Sequence, residues 1–478
     1  MPNYNAPGVY IQDETEGSQI IYELSSSIGV LIGQARAGKT NVLQKIHSWT
    51  EFIELYANGL NTPFVNSMYL PYAVYGFFQN GGNTLYVGNI KKSGVKATKT
   101  GVTSHCIVTA ATEGAWGNHL KVTITKNKSW TSSNKLFDVT FSISDKNKIT
   151  VSAVLVSNIV NKVTSNTKVM NWISGFSLAE NTTDLAEDEF TLAGGTEGDT
   201  LTDSDYVDAL SLLDTVDDAT LVAIPGQCSN TVNNGLIDYC NNHGLFPILD
   251  MAVGATIDDT IAYRNTVDAF TGVLAYPWGK MTNPLTGKPV TVPTAGHLMG
   301  VYARVIETRG VFKVPAGLDA TVNGFVEMET ALTNAQLEQL NPIGVVCILA
   351  KPNAGIVVWG ARSLNSSDDT MRYVSDGLLN LMIKKSLYAG TQFAVFEPNE
   401  DILWSRLDTA CRSFLEDLRS QGALKGTSEE AYYVVVDSTN NTATSIENGE
   451  LNIEIGYAPI KPAEFIIIKL AHSIQSGT

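Results

Sequence analysis

Between residues 202 and 276 the chain alternates strand-like and helix-like patterns, and this alternation limits the possible folds more than any other feature. A capped helix with Tyr206, Leu210 and Leu213 facing inward comes first. Short β-prone runs follow at residues 220–224, 245–250 and 273–276, with helical periodicity at 229–242 and 256–270 between them. Such alternation predicts a parallel sheet flanked by helices.

Residues 28–32 form an apolar run, Ile28-Gly-Val-Leu-Ile32, which predicts a further buried strand. Downstream, Ser48 and Glu51 have the spacing of a capping box, which predicts a helix that ends at Gly59.

Residues 93–195 differ from their flanks, because Thr, Val, Ser, Asn and Lys dominate them. Alternating runs at residues 120–125 and 137–143 are typical of strands with one buried face. We therefore predict an inserted, mostly β domain.

The last third of the chain predicts two long amphipathic helices followed by short strands. The helices are expected at about residues 370–388 and from a cap at Asn399 to Gly422. The second would bury Leu403, Leu407, Cys411, Phe414 and Leu418. Strand-like runs follow at residues 432–436, 451–455 and 465–470.

Charge and cysteine content exclude several classes of function. The 478 residues include 32 Lys and Arg against 48 Asp and Glu, a net charge of -16, which disfavours direct nucleic-acid binding. The five cysteines are widely spaced and never form a CxxC pair, which predicts neither a disulfide framework nor a zinc site. No secretory signal and no run of about 18 apolar residues occurs, so we expect no direct membrane insertion.

One motif suggests an enzyme. Residues Gly33 to Thr40 match the P-loop pattern GxxxxGK[ST] and follow a predicted strand, and Asp250 could hold magnesium at a strand end. A P-loop requires its Lys and Thr to open a helix, however, whereas the capping box begins the helix near Ser48. Pro247 would also restrict the Asp250 strand to an edge or a bulge.

A single longer helix through Val42 and Ile46 would restore the P-loop geometry, so a P-loop nucleotide-binding enzyme stays open as the alternative. Other catalytic patterns are missing from the sequence, and the six histidines stand apart from one another. We therefore expect no enzyme activity, no catalytic residue, no cofactor and no metal.

A series of short motifs, in order, resembles the contractile phage tail sheath family. They are Ala6-Pro-Gly-Val-Tyr-Ile11, Gly33-Gln-Ala with Gly38, Ser48-Trp-Thr-Glu-Phe52, Asn80-Gly81-Gly82, Gly114-Ala-Trp-Gly-Asn118, Leu192-Ala-Gly-Gly195, Pro293-x-Ala-Gly296-His, Arg309-Gly310-Val-x-Lys313-x-Pro315-Ala-Gly317, Asn341-Pro-Ile-Gly344, Trp359-Gly-Ala-Arg362 and Phe396-Glu-Pro-Asn399. The family typically has Pro where this chain has Lys39, and that departure creates the P-loop pattern.

The resemblance implies a structural subunit that polymerises as stacked six-subunit rings around a tail tube. The resemblance also implies that the subunit contracts by domain rearrangement to drive the tube through a host envelope, and no nucleotide is expected to be needed. The implied partners are further copies of the chain, the tail tube protein, and baseplate and tail terminator proteins. The implied location is the virion tail, after synthesis and assembly in the host cytoplasm. The sheath of a bacteriocin or a secretion-type apparatus stays open as a second alternative.

Extended arms in this family add strands to neighbouring subunits, and both ends of this chain carry β-prone runs that a monomer would leave as open edges. We predict the exchanged strands at Val9, Tyr10, Ile11, Phe465, Ile466, Ile467 and Ile468, with pairing inside one subunit as the alternative. The C-terminal helices are expected to face the tube, with Lys384 and Lys385 as candidate contacts.

The predicted fold class is α/β and α+β, multidomain, with an inner C-terminal α+β domain, extended terminal arms, a βαβ-type middle domain and an inserted mostly-β domain. The predicted divisions are an N-terminal arm (1–22), the first part of the α/β domain (23–93), the inserted β-rich outer domain (94–195), the rest of the α/β domain (196–350), the inner sheath domain (351–460) and a C-terminal arm (461–478).

Overall fold

A computed structural model describes residues 20–57, 62–65, 67–179, 185–267, 269–284 and 286–467. The predicted strand at Val9–Ile11, Ile468 and the helix end at Gly59 lie outside the described residues. The chain divides into two compact units. The larger contains the described residues within 25–381 and 461–467, and the smaller those within 20–24 and 382–460.

The described residues form strands and helices along most of their length. In chain order the strands are β1 (Gly29–Gly33), β2 (Leu43–Ile46), β3 (Leu85–Asn89), β4 (Thr98–Thr100), β5 (Cys106–Ala110), β6 (Lys121–Lys126), β7 (Leu136–Ser142), β8 (Lys148–Leu155), β9 (Ile173–Leu178), β10 (Asp188–Thr191), β11 (Leu221–Ala223), β12 (Phe246–Asp250), β13 (Val273–Tyr276), β14 (Gly279–Thr282), β15 (Pro289–Val292), β16 (Phe325–Met328), β17 (Val345–Lys351), β18 (Gly355–Val358), β19 (Tyr432–Val435) and β20 (Glu454–Tyr457). The helices are α1 (Trp49–Phe52), α2 (Leu70–Gln79), α3 (Ile159–Thr164), α4 (Thr167–Met170), α5 (Asp203–Asp208), α6 (Asn230–His243), α7 (Ile257–Arg264), α8 (Ala295–Arg309), α9 (Asn334–Leu340), α10 (Val374–Gly390), α11 (Asp401–Ser420), α12 (Ser428–Ala431) and α13 (Ala443–Glu447).

The larger unit is built on an eight-stranded sheet with the order β18-β17-β13-β12-β11-β1-β3-β2. The six inner strands run parallel, and antiparallel β18 and β2 close the two edges. Every residue of β1 and β12 is buried, as expected for a parallel sheet covered on both faces. The predicted parallel sheet flanked by helices is therefore confirmed.

The prediction that Pro247 confines its strand to an edge or a bulge is wrong, because β12 lies between β11 and β13. Phe246 donates its N–H to the carbonyl oxygen of Thr220 (2.8 Å), on the β11 side of the strand. The missing N–H of Pro247 faces the other side, ahead of the ladder with β13, which begins at Ile248. The sheet thus loses no hydrogen bond to the proline.

The inserted segment forms a separate β-rich core, in agreement with its alternating sequence. Its strands make two sheets, ordered β10-β6-β7-β8 and β4-β5-β9. Trp116 is fully buried at the centre of this core. Strands β6 and β7 confirm the two runs predicted at residues 120–125 and 137–143.

Two chain segments connect the inserted domain to the sheet of the larger unit, and they pair with each other to form a stalk. Antiparallel bridges join Lys92 to Asp199 and Val95 to Thr196. Beside them the buried Lys91 ammonium donates to the carbonyl oxygens of Arg36 and Glu113, both at 3.1 Å, and forms an ion pair with Glu197. The segment that enters the inserted domain and the segment that leaves it are therefore adjacent in space.

Helices α2 and α8 pack at unusually short range, because glycines line their contact. A Cβ atom at Gly296 would lie 2.4 Å from Cα of Ala73, and one at Gly300 would lie 2.4 Å from the carbonyl oxygen of Phe77. No larger residue fits at either position without separating the helices.

The smaller unit has helix α11 and the hairpin of β19 and β20 as its main elements. All five residues predicted to face inward on this helix are buried, namely Leu403, Leu407, Cys411, Phe414 and Leu418. The cap prediction is wrong by one residue: Glu400 occupies the N-cap, whereas the Asn399 side chain accepts a hydrogen bond from Trp404 (2.7 Å). Strand β20 also begins three residues later than its predicted start at Leu451.

We expect Gly300→Ala to lower the free energy of unfolding. Overpacking of a buried contact costs about 1–3 kcal/mol, which exceeds the gain of up to about 1 kcal/mol from the better helix propensity of alanine. Gly175→Ala is the matched control, since its Cβ would meet only Thr109 at 4.0 Å. Thermal and urea unfolding of both variants would check this, and equal midpoints would contradict the close-packing account.

Candidate assembly interface

The P-loop pattern at Gly33 to Thr40 does not form a phosphate-binding loop. Lys39 and Thr40 lead into strand β2, and the next helix begins at Trp49, where the Ser48 side chain accepts a hydrogen bond from the N–H of Glu51 (3.1 Å). Among the described residues, no helix N-terminus therefore stands behind Lys39 to hold a phosphate. Ser48 is confirmed as the helix cap, but the capping box is incomplete, because the Glu51 carboxylate accepts from the N–H of His47 and not from that of Ser48. The longer helix through Val42 and Ile46 is wrong.

The loop is instead held by a buried asparagine of the neighbouring strand. Asn89 accepts a hydrogen bond from the N–H of Ala35 (2.8 Å), and its amide group donates to the carbonyl oxygens of Ala37 (3.2 Å) and Gly38 (3.4 Å). The Lys39 side chain is exposed. A P-loop directs its backbone N–H groups at a bound phosphate, whereas this loop is held by hydrogen bonds to Asn89 of its own chain.

Asp250 does lie at a strand end, but its carboxylate is occupied by amides of its own chain. It accepts hydrogen bonds from the N–H groups of Ala295 (2.9 Å), Thr294 (3.0 Å) and Gly226 (3.2 Å). Burial raises the pKa of Asp250 to about 6, although these hydrogen bonds oppose the shift. The carboxylate therefore stabilises the start of α8, and the structure gives the nucleotide-binding alternative no support.

Metal-ligand clusters and membrane-spanning helices can be assessed for the described part of the chain. No group of three or more His, Cys, Asp or Glu side chains there could hold a metal ion. None of the helices found there combines the length and apolar character needed to cross a bilayer.

The predicted C-terminal exchange strand presents a row of exposed apolar side chains. Phe465 is 71% exposed, Ile466 83% and Ile467 81%. Residues 461–467 belong to no strand, and Ile468 lies outside the described residues. Three consecutive large apolar residues left in water form an unsatisfied surface of the kind that another chain can cover.

The base of this run is fixed to the rest of the larger unit by a largely buried ion pair. Arg362 binds the Glu464 carboxylate with two guanidinium nitrogens, Nε at 3.0 Å and Nη2 at 2.9 Å. Asn341 and Tyr373 donate to the same carboxylate. Nearby, Lys461 pairs with the buried Asp376 at 2.7 Å. The chain is therefore anchored immediately before Phe465.

Burial alone would raise the pKa of Glu464, but the hydrogen bonds from Arg362, Asn341 and Tyr373 outweigh it and hold the pKa below its ordinary value. The two side chains of the ion pair are only 16% and 12% exposed, so solvent screens them little. Glu464 is consequently ionised at neutral pH, and the anchor is charged.

The smaller unit carries a hairpin of two antiparallel strands, β19 and β20, with helix α13 in the connection between them. Strands β19 and β20 pair antiparallel from Tyr432 with Tyr457 to Val435 with Glu454, and within the described residues they form a sheet of two strands. Helix α11 supports this hairpin, since Arg412 donates to the carbonyl oxygen of Val434 and Tyr432 donates to Glu416 (3.0 Å). Among the described residues no further strand pairs with β19 or β20, although the carbonyl oxygens of Val434 and Val435 already accept side-chain hydrogen bonds from Arg412 and Asn440.

The two lysines predicted to touch a tube lie on helix α10. Lys384 is exposed and Lys385 is half-buried. Tyr388, one turn after Lys384, is 74% exposed, so this stretch of helix presents both charge and apolar surface. Their role in a tube contact stays a prediction.

Sequence reasoning located the exposed run but missed its anchor and its acceptor. The partners of Glu464 come from positions 341, 362 and 373, which are far away in sequence, so no local pattern links them. The hairpin was predicted as separate strands, and only the polar stretch between them could have indicated a pairing.

An anchored, exposed apolar segment and a two-stranded sheet that no third strand extends within the described residues are typical of a structural subunit. Comparison with known proteins agrees. The family model for the phage tail sheath protein central domain matches residues 199–364, and that for the phage tail sheath C-terminal domain matches residues 366–471. Together the two models cover more than half of the chain, and the chain belongs to the phage tail sheath family.

Curated tail sheath proteins are distant relatives. That of Salmonella phage ViI is 22% identical over 63% of this chain and 48% of its own length. That of Vibrio phage KVP40 is 21% identical over 46% of this chain and 32% of its own length. That of Escherichia phage P2 is 20% identical over 52% of this chain and 62% of its own length. The chain therefore spans about a third to three fifths of the length of these relatives.

Solved sheath structures share the fold along nearly the whole chain. The contracted helical sheath of the anti-feeding prophage matches with a TM-score of 0.62, 22% identity, and coverage of 98% of this chain and 100% of the other. The contracted PVC sheath of an extracellular contractile injection system matches with a TM-score of 0.64 and 20% identity, over 99% of this chain and 99% of the other. A sheath tail protein from Desulfitobacterium hafniense matches with a TM-score of 0.64 and 16% identity, over 90% of this chain and 94% of the other.

We expect Glu464→Gln to increase local opening of residues 461–467 while the rest of the subunit stays folded. The neutral amide keeps the shape but loses charge-assisted hydrogen bonds, which are worth about 1.5–3 kcal/mol each. Hydrogen exchange at neutral pH should therefore accelerate in this segment, whereas exposed Glu447→Gln should leave it unchanged.

The same variant carries a pH signature. Because the pKa of Glu464 is lowered on folding, its contribution to stability is present above the ordinary glutamate pKa and disappears as the pH falls through the lowered value. The difference in melting temperature between wild type and Glu464→Gln should shrink over that range. A difference that does not change with pH would contradict the charged anchor.

Proposed function

We propose that this chain is the subunit of a contractile tail sheath, which polymerises as stacked six-subunit rings around a tail tube and contracts to drive the tube through a host envelope. The observation that carries the proposal is the anchored run of Phe465, Ile466 and Ile467, which is exposed in a subunit whose strands β19 and β20 have no third strand beside them within the described residues. Each copy thus offers a strand and an acceptor.

Strand addition supplies both affinity and a flexible joint. Full burial of each large apolar side chain is worth about 1.5–3 kcal/mol, and main-chain hydrogen bonds fix the register. Residues 465–467 would add to the edge of β19 or β20 of one neighbour, and Val9, Tyr10 and Ile11 would serve a second. Ile468 would extend the C-terminal strand.

Contraction follows if the domains move as rigid bodies while the exchanged strands stay paired. The anchor at Arg362 and Glu464 would act as a pivot, because the chain is fixed at Glu464 and exposed from Phe465 to Ile467. The free energy would come from new interactions that form between subunits, so no nucleotide is needed. Assembly on the tube would hold the extended state until a baseplate signal releases it.

The proposed partners are further copies of the chain, the tail tube protein, and the baseplate and tail terminator proteins, with no direct contact to nucleic acid and no membrane insertion. Lys384 and Lys385 are the proposed tube contacts on the inner C-terminal domain. The subunit would be made and assembled in the host cytoplasm and end in the virion tail.

The sheath of a phage-derived injection apparatus is the second candidate. The observation that favours it is the fold match with injection-system sheaths over 98–99% of this chain. The assembly chemistry is the same, and only the object delivered by the tube differs.

Ile466→Asp tests the proposal, because it separates assembly from folding. Ile466 is 83% exposed in the subunit, so the substitution should change the free energy of unfolding by less than about 0.5 kcal/mol. In a lattice the same carboxylate would be buried at a strand interface and would block assembly. Negative-stain electron microscopy of concentrated protein should show striated tubes or rings for wild type and dispersed subunits for the variant.

Two controls complete this test. Val102→Asp places the same charge at a residue that is 77% exposed in the inserted domain, and tubes should still form. Lys39→Ala should also assemble normally, since the P-loop pattern has no role. Tubes from Ile466→Asp that match wild type in number would exclude the C-terminal strand as the link, and tight Mg-ATP binding lost in Lys39→Ala would revive the enzyme alternative.

A further inference from the structure

A small basic cavity lies beside the C-terminal end of α8. Its volume is about 140 Å³, several times the roughly 30 Å³ that one water molecule occupies in the liquid. The residues with charged side chains around it are Arg304, Arg309, Lys313 and Asp319. Three cations therefore face a single carboxylate in a chain whose overall charge is -16.

Arg304 is incompletely paired inside this cavity. Its Nη2 donates to the carbonyl oxygen of Thr321 (2.6 Å), whereas Nε and Nη1 have no hydrogen-bond partner among the described residues. Burial lowers the pKa of the guanidinium, which means that the charge is partly desolvated. Arg304 is half-buried, and its Nε and Nη1 donors are not sealed from solvent, so an anion that enters the cavity can bind them.

The other charges leave the cavity electropositive. Arg309 pairs with Asp319 at 3.4 Å, and both side chains are more than half exposed. Lys313 is half-buried and forms no ion pair within the described ranges. The negative end of the α8 dipole accounts for Arg309 in the last helical turn, but it does not account for the unused donors of Arg304.

We infer that this cavity binds a side-chain carboxylate from a second copy of the chain. The inference rests on the proposed assembly, which brings acidic copies together. Each copy carries 48 Asp and Glu against 32 Lys and Arg, so a carboxylate is the anion that a neighbouring copy presents most often. Guanidinium groups bind carboxylates through paired hydrogen bonds, and Lys313 adds a mobile charge.

Carbodiimide cross-linking tests the contact directly, because the reagent joins an amine only to a carboxylate that touches it. Assembled polymers would be prepared from equal amounts of ¹⁴N-labelled and ¹⁵N-labelled wild-type chains. Mass spectrometry should find Lys313 joined to an Asp or Glu peptide in mixed-isotope pairs, which arise only between copies. Dispersed subunits should lack these pairs.

Variants separate charge from structure. Lys313→Gln should raise the protein concentration needed for half-maximal polymerisation by roughly threefold to tenfold, whereas Lys313→Arg, which keeps the charge, should assemble as wild type. Lys146→Gln removes the same charge from an exposed position in the inserted domain and should have no effect.

The outcomes distinguish this inference from the proposed function. Polymers that form without a mixed-isotope cross-link at Lys313, or that form equally well with Lys313→Gln, would overturn the carboxylate site and leave the sheath proposal intact. A cavity that takes only free anions would give that result. A wild-type chain that forms no polymer under any condition, with or without a tube, would overturn both.

Discussion

The ion pair between Arg362 and Glu464 fixes the position of the C-terminal segment on which the proposed assembly depends. Before this point the chain is held by buried charge and by hydrogen bonds from Asn341 and Tyr373. After it, three large apolar residues are exposed. The pair is largely buried and costly to break once formed, so the fold of the subunit sets the direction in which residues 465–467 leave the anchor.

Rigidity upstream of the anchor comes from the sheet and from close helix packing. Six parallel strands are covered by helices, and Gly296 and Gly300 bring α8 against α2 with no room for adjustment. Cores packed at this density move as units and do not deform gradually. Any large rearrangement of a subunit must therefore occur in its connections, which is where the exposed run begins.

The sequence was sufficient wherever local periodicity decides structure. Strands β1, β12 and β13, the inward face of α11 and the Ser48 cap all follow from patterns within a few residues. Prediction from the sequence failed where the local structure depends on residues that are distant in the chain. Pro247 is tolerated because of where the β13 ladder begins, and Glu464 is an anchor because of Arg362, about one hundred residues earlier in the chain.

The paired stalk of the inserted domain has a consequence for how such chains diversify. Because the outgoing and returning segments are bridged at Lys92 with Asp199 and at Val95 with Thr196, everything between them is attached at one spot on the sheet unit. A different module with closely spaced ends could be grafted there, and the strand order beneath it would be unaffected. Changes in the length or the surface of the inserted domain would therefore leave the sheet of the larger unit unchanged.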